Sequence, residues 1–248
     1  MKFKTSDKFY NDFIKNIKKY LLSNDGEIIF EKRNIIKKIQ YKNKTYIIKS
    51  FKIPHFINKI VYRFFRKSKA QRSYENSLRL MELGINTPKP IGFIELNSLF
   101  LFKESYYVCE FFDYDFEIKE VFNNLQIEDR ETILKEFVKF TYDLHNKGVY
   151  HIDYSPGNIL VKMENDKYLF YIIDVNRMKF LDFDIDLRMK SMQKLTQNSD
   201  DINLMLEEYS KLSQFDIKDL QNKFHFYIEE QKKYLEKKKK LKQFRNKK

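Results

Sequence analysis

The sequence predicts an α+β chain of two lobes: an N-terminal antiparallel sheet carrying one main helix, then a mainly helical C-terminal lobe. Three observations predict it. Short runs rich in Ile, Tyr and Phe alternate with polar turns between Glu27 and Phe51. Apolar residues recur at helical spacing from Pro54 to Gly84 and again from Ile127 to Gly148. Beyond about Asp186 the pattern stays helical to the end.

The runs "EIIF", "NIIKKIQY" and "KTYIIKSF" read as three strands of an antiparallel meander. The stretch "PHFINKIVYRFFRKSKAQRSYENSLRLMELG" reads as helix closing at Gly84. In "TPKPIGFIE", Pro88 and Pro90 break that helix and lead to two strands, "NSLFLF" and "SYYVCEFF". Past Asp113, "IEDRETILKEFVKFTYDLHNKG" has Phe137, Phe140 and Leu144 at helical spacing and stops at Gly148. The loop "VYHIDYSPGNILV" follows. Two apolar runs around "ENDK" then read as a hairpin, and "SDDINLMLEEYSKL" as an amphipathic helix. The expected division is residues 1–112 for the strand-rich lobe, 113–231 for the helical lobe, and 232–248 for a basic tail.

Composition narrows the function classes. At 248 residues, 42% of them apolar and 17% aromatic, the chain buries enough surface to fold as a large domain or two small lobes. The net charge of +13 is concentrated: Gln231 to Lys248 holds ten Lys or Arg against the single acid Glu236. That distribution suits a solvated, fraying helix end and argues against a nucleic-acid-binding face, which needs basic and stacking residues on a folded lobe. The single cysteine, Cys109, sits in an apolar run as a small hydrophobe, so no intramolecular disulfide forms and a reducing compartment is expected. "MKFKTSDKFYNDF" has no apolar signal core, and no window approaches the length of a membrane span.

The loop carries the chemistry. The hairpin puts Asn158, before its first strand, at the same end as Asp174, after its second. Asp153 lies five residues ahead of Asn158, across a turn bent by Pro156 and Gly157. A carboxylate and an amide oxygen so arranged suit a hard divalent cation, which fills its remaining positions with water and phosphate. A second carboxylate nearby can orient a hydroxyl nucleophile, and the set describes phosphoryl transfer. Taken singly, Asp153 also reads as a turn-stabilising residue and Asn158 as a hairpin end.

"HIDYSPGN" followed by "IIDVN" resembles the H-x-D-x-x-x-x-N catalytic loop and D-F-G segment of protein-kinase-like phosphotransferases. The resemblance implies a two-lobed protein-kinase-like fold, His151 as a structural histidine, Asp153 as the catalytic aspartate, and Asn158 and Asp174 as Mg²⁺ ligands. Lys49 of "YIIKSF" matches the phosphate-binding lysine, with Glu75 as its helix partner and Glu82 as the alternative. The departures carry information too. The turn "EKRN" has no glycine-rich lid, "HID" lacks an arginine, "DVN" replaces D-F-G, and there is no A-P-E, which argues against activation by loop phosphorylation.

These departures, with "FRKSKAQRSYENSLRLMELGINTPKPIGF" and "IIDVNRMKF", make the chain similar to the lipopolysaccharide core kinase family, enzymes that phosphorylate Kdo or heptose sugars of the lipid-anchored inner core. The resemblance implies ATP, Mg²⁺ and a lipid-linked inner-core saccharide as acceptor. It also implies a cytoplasmic protein, peripheral on the inner face of the cytoplasmic membrane. Within Phe56–Lys67, a helix would put Phe56, Ile57, Ile60, Val61, Phe64 and Phe65 on one stripe with Lys59, Arg63, Arg66 and Lys67 beside it. That pattern fits an interfacial helix on an anionic membrane, assisted by the basic tail, and equally a core helix under the sheet. Other readings are a protein kinase, a soluble small-molecule phosphotransferase, or a non-catalytic pseudokinase or binding module.

Overall fold

The computed structural model describes residues 1–32, 34–51, 66–97 and 102–246. The expected interfacial segment Phe56–Lys67 falls mostly outside them. The chain forms two compact units, Met1–Asp113 with Tyr171–Arg177, and Tyr114–Phe170 with Met178–Lys248.

The first unit is built on an antiparallel sheet of β1 (Lys2–Thr5), β2 (Glu27–Glu31), β3 (Ile35–Tyr41), β4 (Lys44–Ser50), β5 (Pro90–Asn97) and β6 (Phe102–Glu110), in the order β1-β5-β6-β4-β3-β2. The β3–β4 hairpin turns through Lys42 and Asn43, both at positive φ, the two-residue turn whose twist matches paired strands. Two short helices that the sequence pattern does not announce, α1 (Asn11–Lys15) and α2 (Ile17–Leu22), bury Phe13, Ile14 and Ile17 against Ile39, Tyr46, Ile48, Ile91 and Val108. Buried Lys37 donates to the carbonyls of Tyr20, Leu21 and Ser23 (3.2, 3.2 and 2.5 Å), satisfying the end of α2 from the sheet.

On the second sheet face lies α3 (Lys69–Glu82), which packs Ala70 and Tyr74 on Phe51, Phe93, Tyr107 and Cys109. Strand β6 is buried on both faces from Tyr106 to Cys109, as befits a strand between two layers. Two sequence expectations need correction. Helix does not run through Arg66–Ser68, because Ser68 is extended and its hydroxyl accepts from Gln71 N (3.0 Å), starting α3 afresh. The strand after the prolines begins at Pro90 itself, within "PIGFIELN", where Pro90 stands at a register irregularity.

The second unit contains β7 (Phe116–Glu117), α4 (Ile118–Asn123), α5 (Arg130–Asn146), β8 (Val149–His151), β9 (Ile159–Glu164), the start of β10 (Lys167–Ile172), β11 (Met178–Phe180), α6 (Ile185–Met192), α7 (Ser199–Ser213) and α8 (Ile217–Asn246). The β9–β10 hairpin turns at Asn165 and Asp166, both at positive φ, inside the expected "ENDK". Helix α5 ends before Gly148, whose φ of 69° and close approach to Leu181 O leave no room for a Cβ. Phe137 is the centre of the aromatic core, 6.1 Å from Tyr154 and 5.6 Å from Phe170 between ring centroids. Helix α8 buries Leu220, Phe224 and Ile228, then continues with Lys232 to Leu241 exposed. Among the described residues no helix is long and apolar enough to cross a membrane.

Two polar devices tie the helices together. Arg130 donates to Asp201 Oδ1 (2.6 Å) and to Val121 O (2.9 Å), so one guanidinium joins α4, α5 and α7. The pair is largely desolvated, with 17% and 2% of the side chains exposed. Replacing Arg130 by Met leaves a buried carboxylate unpaired, and an expected loss of about 3–5 kcal/mol is checked by urea unfolding. Second, His145 sits between Tyr209 OH (2.8 Å from Nδ1) and Ser191 Oγ (2.6 Å from Nε2), under the ring of Phe183. Burial, then the charge of Arg188, holds its pKa well below 6.5, so the folded state keeps it neutral. The unfolded chain binds that proton more readily, so stability is complete above about pH 6.5 and declines as the pH falls below it. Urea midpoints at pH 7.5 and 5.5 should show this decline, and His145→Gln should shrink it.

Candidate active site

The loop of the second unit starts at β8, which ends in buried His151. His151 Nδ1 accepts the backbone N–H of Asp153 (3.1 Å), making the histidine a backbone support for the loop. Tyr154 is buried, and its hydroxyl meets Thr141 Oγ1 of α5 at 2.8 Å. Asp153 is therefore bracketed by two anchored aromatic residues while its own side chain stays 45% exposed. Pro156–Asn158 form a short turn, and Asn158 Nδ2 donates to Asp153 O (2.9 Å) and Ser155 Oγ (3.2 Å). With Nδ2 committed to the loop, Oδ1 is the atom of Asn158 suited to a cation. Lys194 Nζ stands 3.1 Å from Asp153 Oδ1.

In the first unit, the β-register puts Lys49 opposite Ile36 and Tyr107, with its side chain only 14% exposed. Its ammonium lies 2.6 Å from Asp174 Oδ1. Asp174 has φ of 56°, a left-handed conformation that Asp and Asn tolerate better than other non-glycine residues. Asn176, itself buried, donates to the same Oδ1 at 2.5 Å. The flanking segment is stitched to the first unit at three points. Ile172 N donates to Asn86 O (2.9 Å), Thr87 Oγ1 donates to Ile172 O (2.8 Å), and Asn76 of α3 donates to Val175 O (2.6 Å).

The structure thus joins Lys49 to Asp174, and Asp153 to Asn158. It does not join Lys49 to Glu75. Glu75 accepts from Lys67 Nζ and Gln71 Nε2, both at 2.8 Å. Burial works to raise the Glu75 pKa, but these two hydrogen bonds and the lysine charge outweigh it and hold the carboxyl below its ordinary value. The alternative, Glu82, pairs with Arg79 at 3.1 Å on an exposed helix face. Three residues escaped the sequence reading: Asn76, Asn176 and Lys194. Asn176 lies inside the quoted "IIDVN", so its proximity to Asp174 was available; Asn76 and Lys194 act across long sequence separations and left no local signal.

The donor set is made of hard oxygen atoms. Among the described residues no group of three or more His, Cys, Asp and Glu gathers to hold a metal by itself. Taken each within its own unit, the Asp174 carboxylate and the Asn158 amide oxygen are hard donors of the type Mg²⁺ takes alongside water and substrate phosphates, and among the described residues neither belongs to a full protein cage.

Comparison with known proteins bears on the fold and the family. The chain resembles in fold a solved structure described as WaaP in complex with acyl carrier protein, with a TM-score of 0.65 at 16% identity over 96% of this chain and 99% of that chain. No curated protein matches it in sequence. The likeness shows an α+β fold of the kind that structure has. Residues 34–223 of this chain match the model of the lipopolysaccharide kinase (Kdo/WaaP) family, and the chain belongs to that family.

The stitching by Asn76 has a measurable cost. Asn76→Ala strands the carbonyl of buried Val175 and should lower the unfolding free energy by about 1–3 kcal/mol. Glu75→Ala, which removes partly exposed pairs, should cost under about 1 kcal/mol. Urea denaturation of the two variants side by side checks the ranking.

Proposed function

We propose that this kinase transfers the γ-phosphate of ATP to a hydroxyl of Kdo or heptose in the lipopolysaccharide inner core, working on a lipid-linked acceptor at the cytoplasmic membrane surface. The observation that carries the reading is the 2.6 Å contact of Lys49 with Asp174, which joins a strand lysine to the carboxylate that follows the hairpin. In a chain of the lipopolysaccharide kinase family, that pair has a direct use on nucleotide phosphates.

In this reading Lys49 binds and orients the phosphates, and Asp174 with Asn158 would hold Mg²⁺. When bound, the cation supplies neutralisation of the charge on the transferring phosphoryl group. Asn176 fixes the rotamer of Asp174, and Asn76 fixes the backbone beyond it. Asp153 orients the acceptor hydroxyl and takes its proton late in transfer. Glu75, bound to Lys67 and Gln71, would meet Lys49 only after exchanging partners.

Membrane placement draws on two parts of the chain. The first is Phe56–Lys67, argued from sequence. The second is the exposed end of α8, where Lys237 to Lys240 lie between exposed Leu235 and Leu241. Each lysine near an anionic surface contributes on the order of 1 kcal/mol, so such a helix end can hold a weak binder.

Purified protein with Mg·ATP and separate Kdo-terminated and heptose-terminated acceptors tests the reaction. Asp153→Asn is expected to bind nucleotide normally and lose turnover by about 10²-fold or more. Asp174→Asn, chosen because asparagine tolerates the left-handed backbone, should lose Mg²⁺-dependent turnover by several orders of magnitude while still folding. Wild-type turnover in Asp174→Asn would sink the role given to Asp174, and no turnover of either acceptor by the wild type would favour a non-catalytic binding module. For the membrane, truncation after Tyr234 should weaken sedimentation with anionic vesicles, the more so at low salt. Full-length protein that stays in the supernatant at low salt would point to a soluble acceptor instead.

A further inference from the structure

Asp153 has a cationic partner that its own motif does not supply. Lys194 Nζ lies 3.1 Å from Asp153 Oδ1 and 3.0 Å from the carbonyl oxygen of Ile152, so one ammonium grips both the carboxylate and the backbone preceding it. The lysine comes from 41 residues away in sequence, on the connection between α6 and α7. That connection is held on both sides of Lys194. Met192 and Leu195 are buried, Leu195 N donates to Met192 O (3.0 Å), and Asn198 caps α7 by accepting from the N–H groups of Asp200 and Asp201. The Lys194 side chain is 29% exposed, sheltered more than a free surface lysine.

A half-exposed aspartate at the end of a loop would otherwise rotate among several staggered positions, only some of which present an oxygen to the acceptor. We propose that Lys194 is a positioning residue for phosphoryl transfer, holding Asp153 by Oδ1 so that Oδ2 is the oxygen that receives the acceptor's proton. This rests on the reading of Asp153 given above. In the step it serves, the acceptor oxygen forms its bond to the γ-phosphorus, and the acceptor hydroxyl proton passes to Asp153 Oδ2. The bond from phosphorus to the β–γ bridging oxygen breaks, its electron pair leaving on ADP. Lys194 keeps its proton throughout; its part is to fix where the receiving oxygen stands. The remainder of the catalytic loop has no lysine or arginine between His151 and Leu160, so the charge beside Asp153 comes from tertiary structure alone.

Steady-state kinetics of Lys194→Met and Lys194→Arg, with Mg·ATP and the acceptor that the wild type uses, test the proposal. Lys194→Met should lower kcat on the order of 10²-fold, the scale of a misplaced catalytic group, with the KM for ATP within about twofold and Tm unchanged. Lys194→Arg should recover about tenfold or more, since it keeps the charge and donors. In an Asp153→Asn background, Lys194→Met should add little further loss, because the two residues act as a unit. A kcat for Lys194→Met within about twofold of wild type, with Asp153→Asn inactive, overturns the inference and leaves the reading of Asp153 standing. Equal losses in the Met and Arg variants accompanied by a lower Tm also overturn it, by making Lys194 structural. Wild-type turnover in Asp153→Asn overturns both.

Discussion

The contact between Lys49 and Asp174 is the constraint on which the candidate residues of the first unit depend. An ammonium 14% exposed is costly to bury without a counter-charge, and Asp174 supplies it at 2.6 Å. For the carboxylate to reach, the backbone at Asp174 takes a left-handed turn, and Asn176 grips the same oxygen. The strain of that turn is sustained because its neighbours are held: Ile172 on both its amide and carbonyl, Val175 on its carbonyl. The sheet does the rest, since the β4 register sets which way Lys49 points.

The second unit solves a different problem, holding an exposed carboxylate still on a loop. It does so by burying what surrounds Asp153. His151 supports the backbone, Tyr154 is driven into the core against Phe137 and bonded to Thr141, and Asn158 closes the turn on the Asp153 carbonyl. The helices that form this core are in turn fixed by Arg130 and Asp201 and by the His145 network, buried polar contacts that join one helix to the next. The placement of Asp153 and the packing of the helices are therefore one structure here.

The helix partner of the strand lysine is where motif and molecule part. Motif order makes Glu75 the natural mate of Lys49, yet Lys67, eight residues before it, and Gln71, one turn before it, hold both its oxygens. Asn76, the next residue, makes the long-range contact from α3 instead. Successive helix positions lie about 100° apart, so neighbours in sequence face different surroundings. A motif read along the chain cannot tell which of two adjacent residues faces the site.

By itself the sequence determined the α+β order, the hairpin around "ENDK", the stop at Gly148, and the local set His151, Asp153 and Asn158, because periodicity, turn chemistry and short spacings are properties of neighbouring residues. It also carried the lysine and aspartate that the fold brings together across 125 positions, though only through the order of a motif. Tertiary structure alone decided the rest. Helices α1 and α2 are too short to show a period. The Ser68 cap acts through a single hydroxyl. Asn76 and Lys194 act at separations of 99 and 41 residues, where partners are chosen by the way strands and helices pack and no repeat in the sequence records the choice.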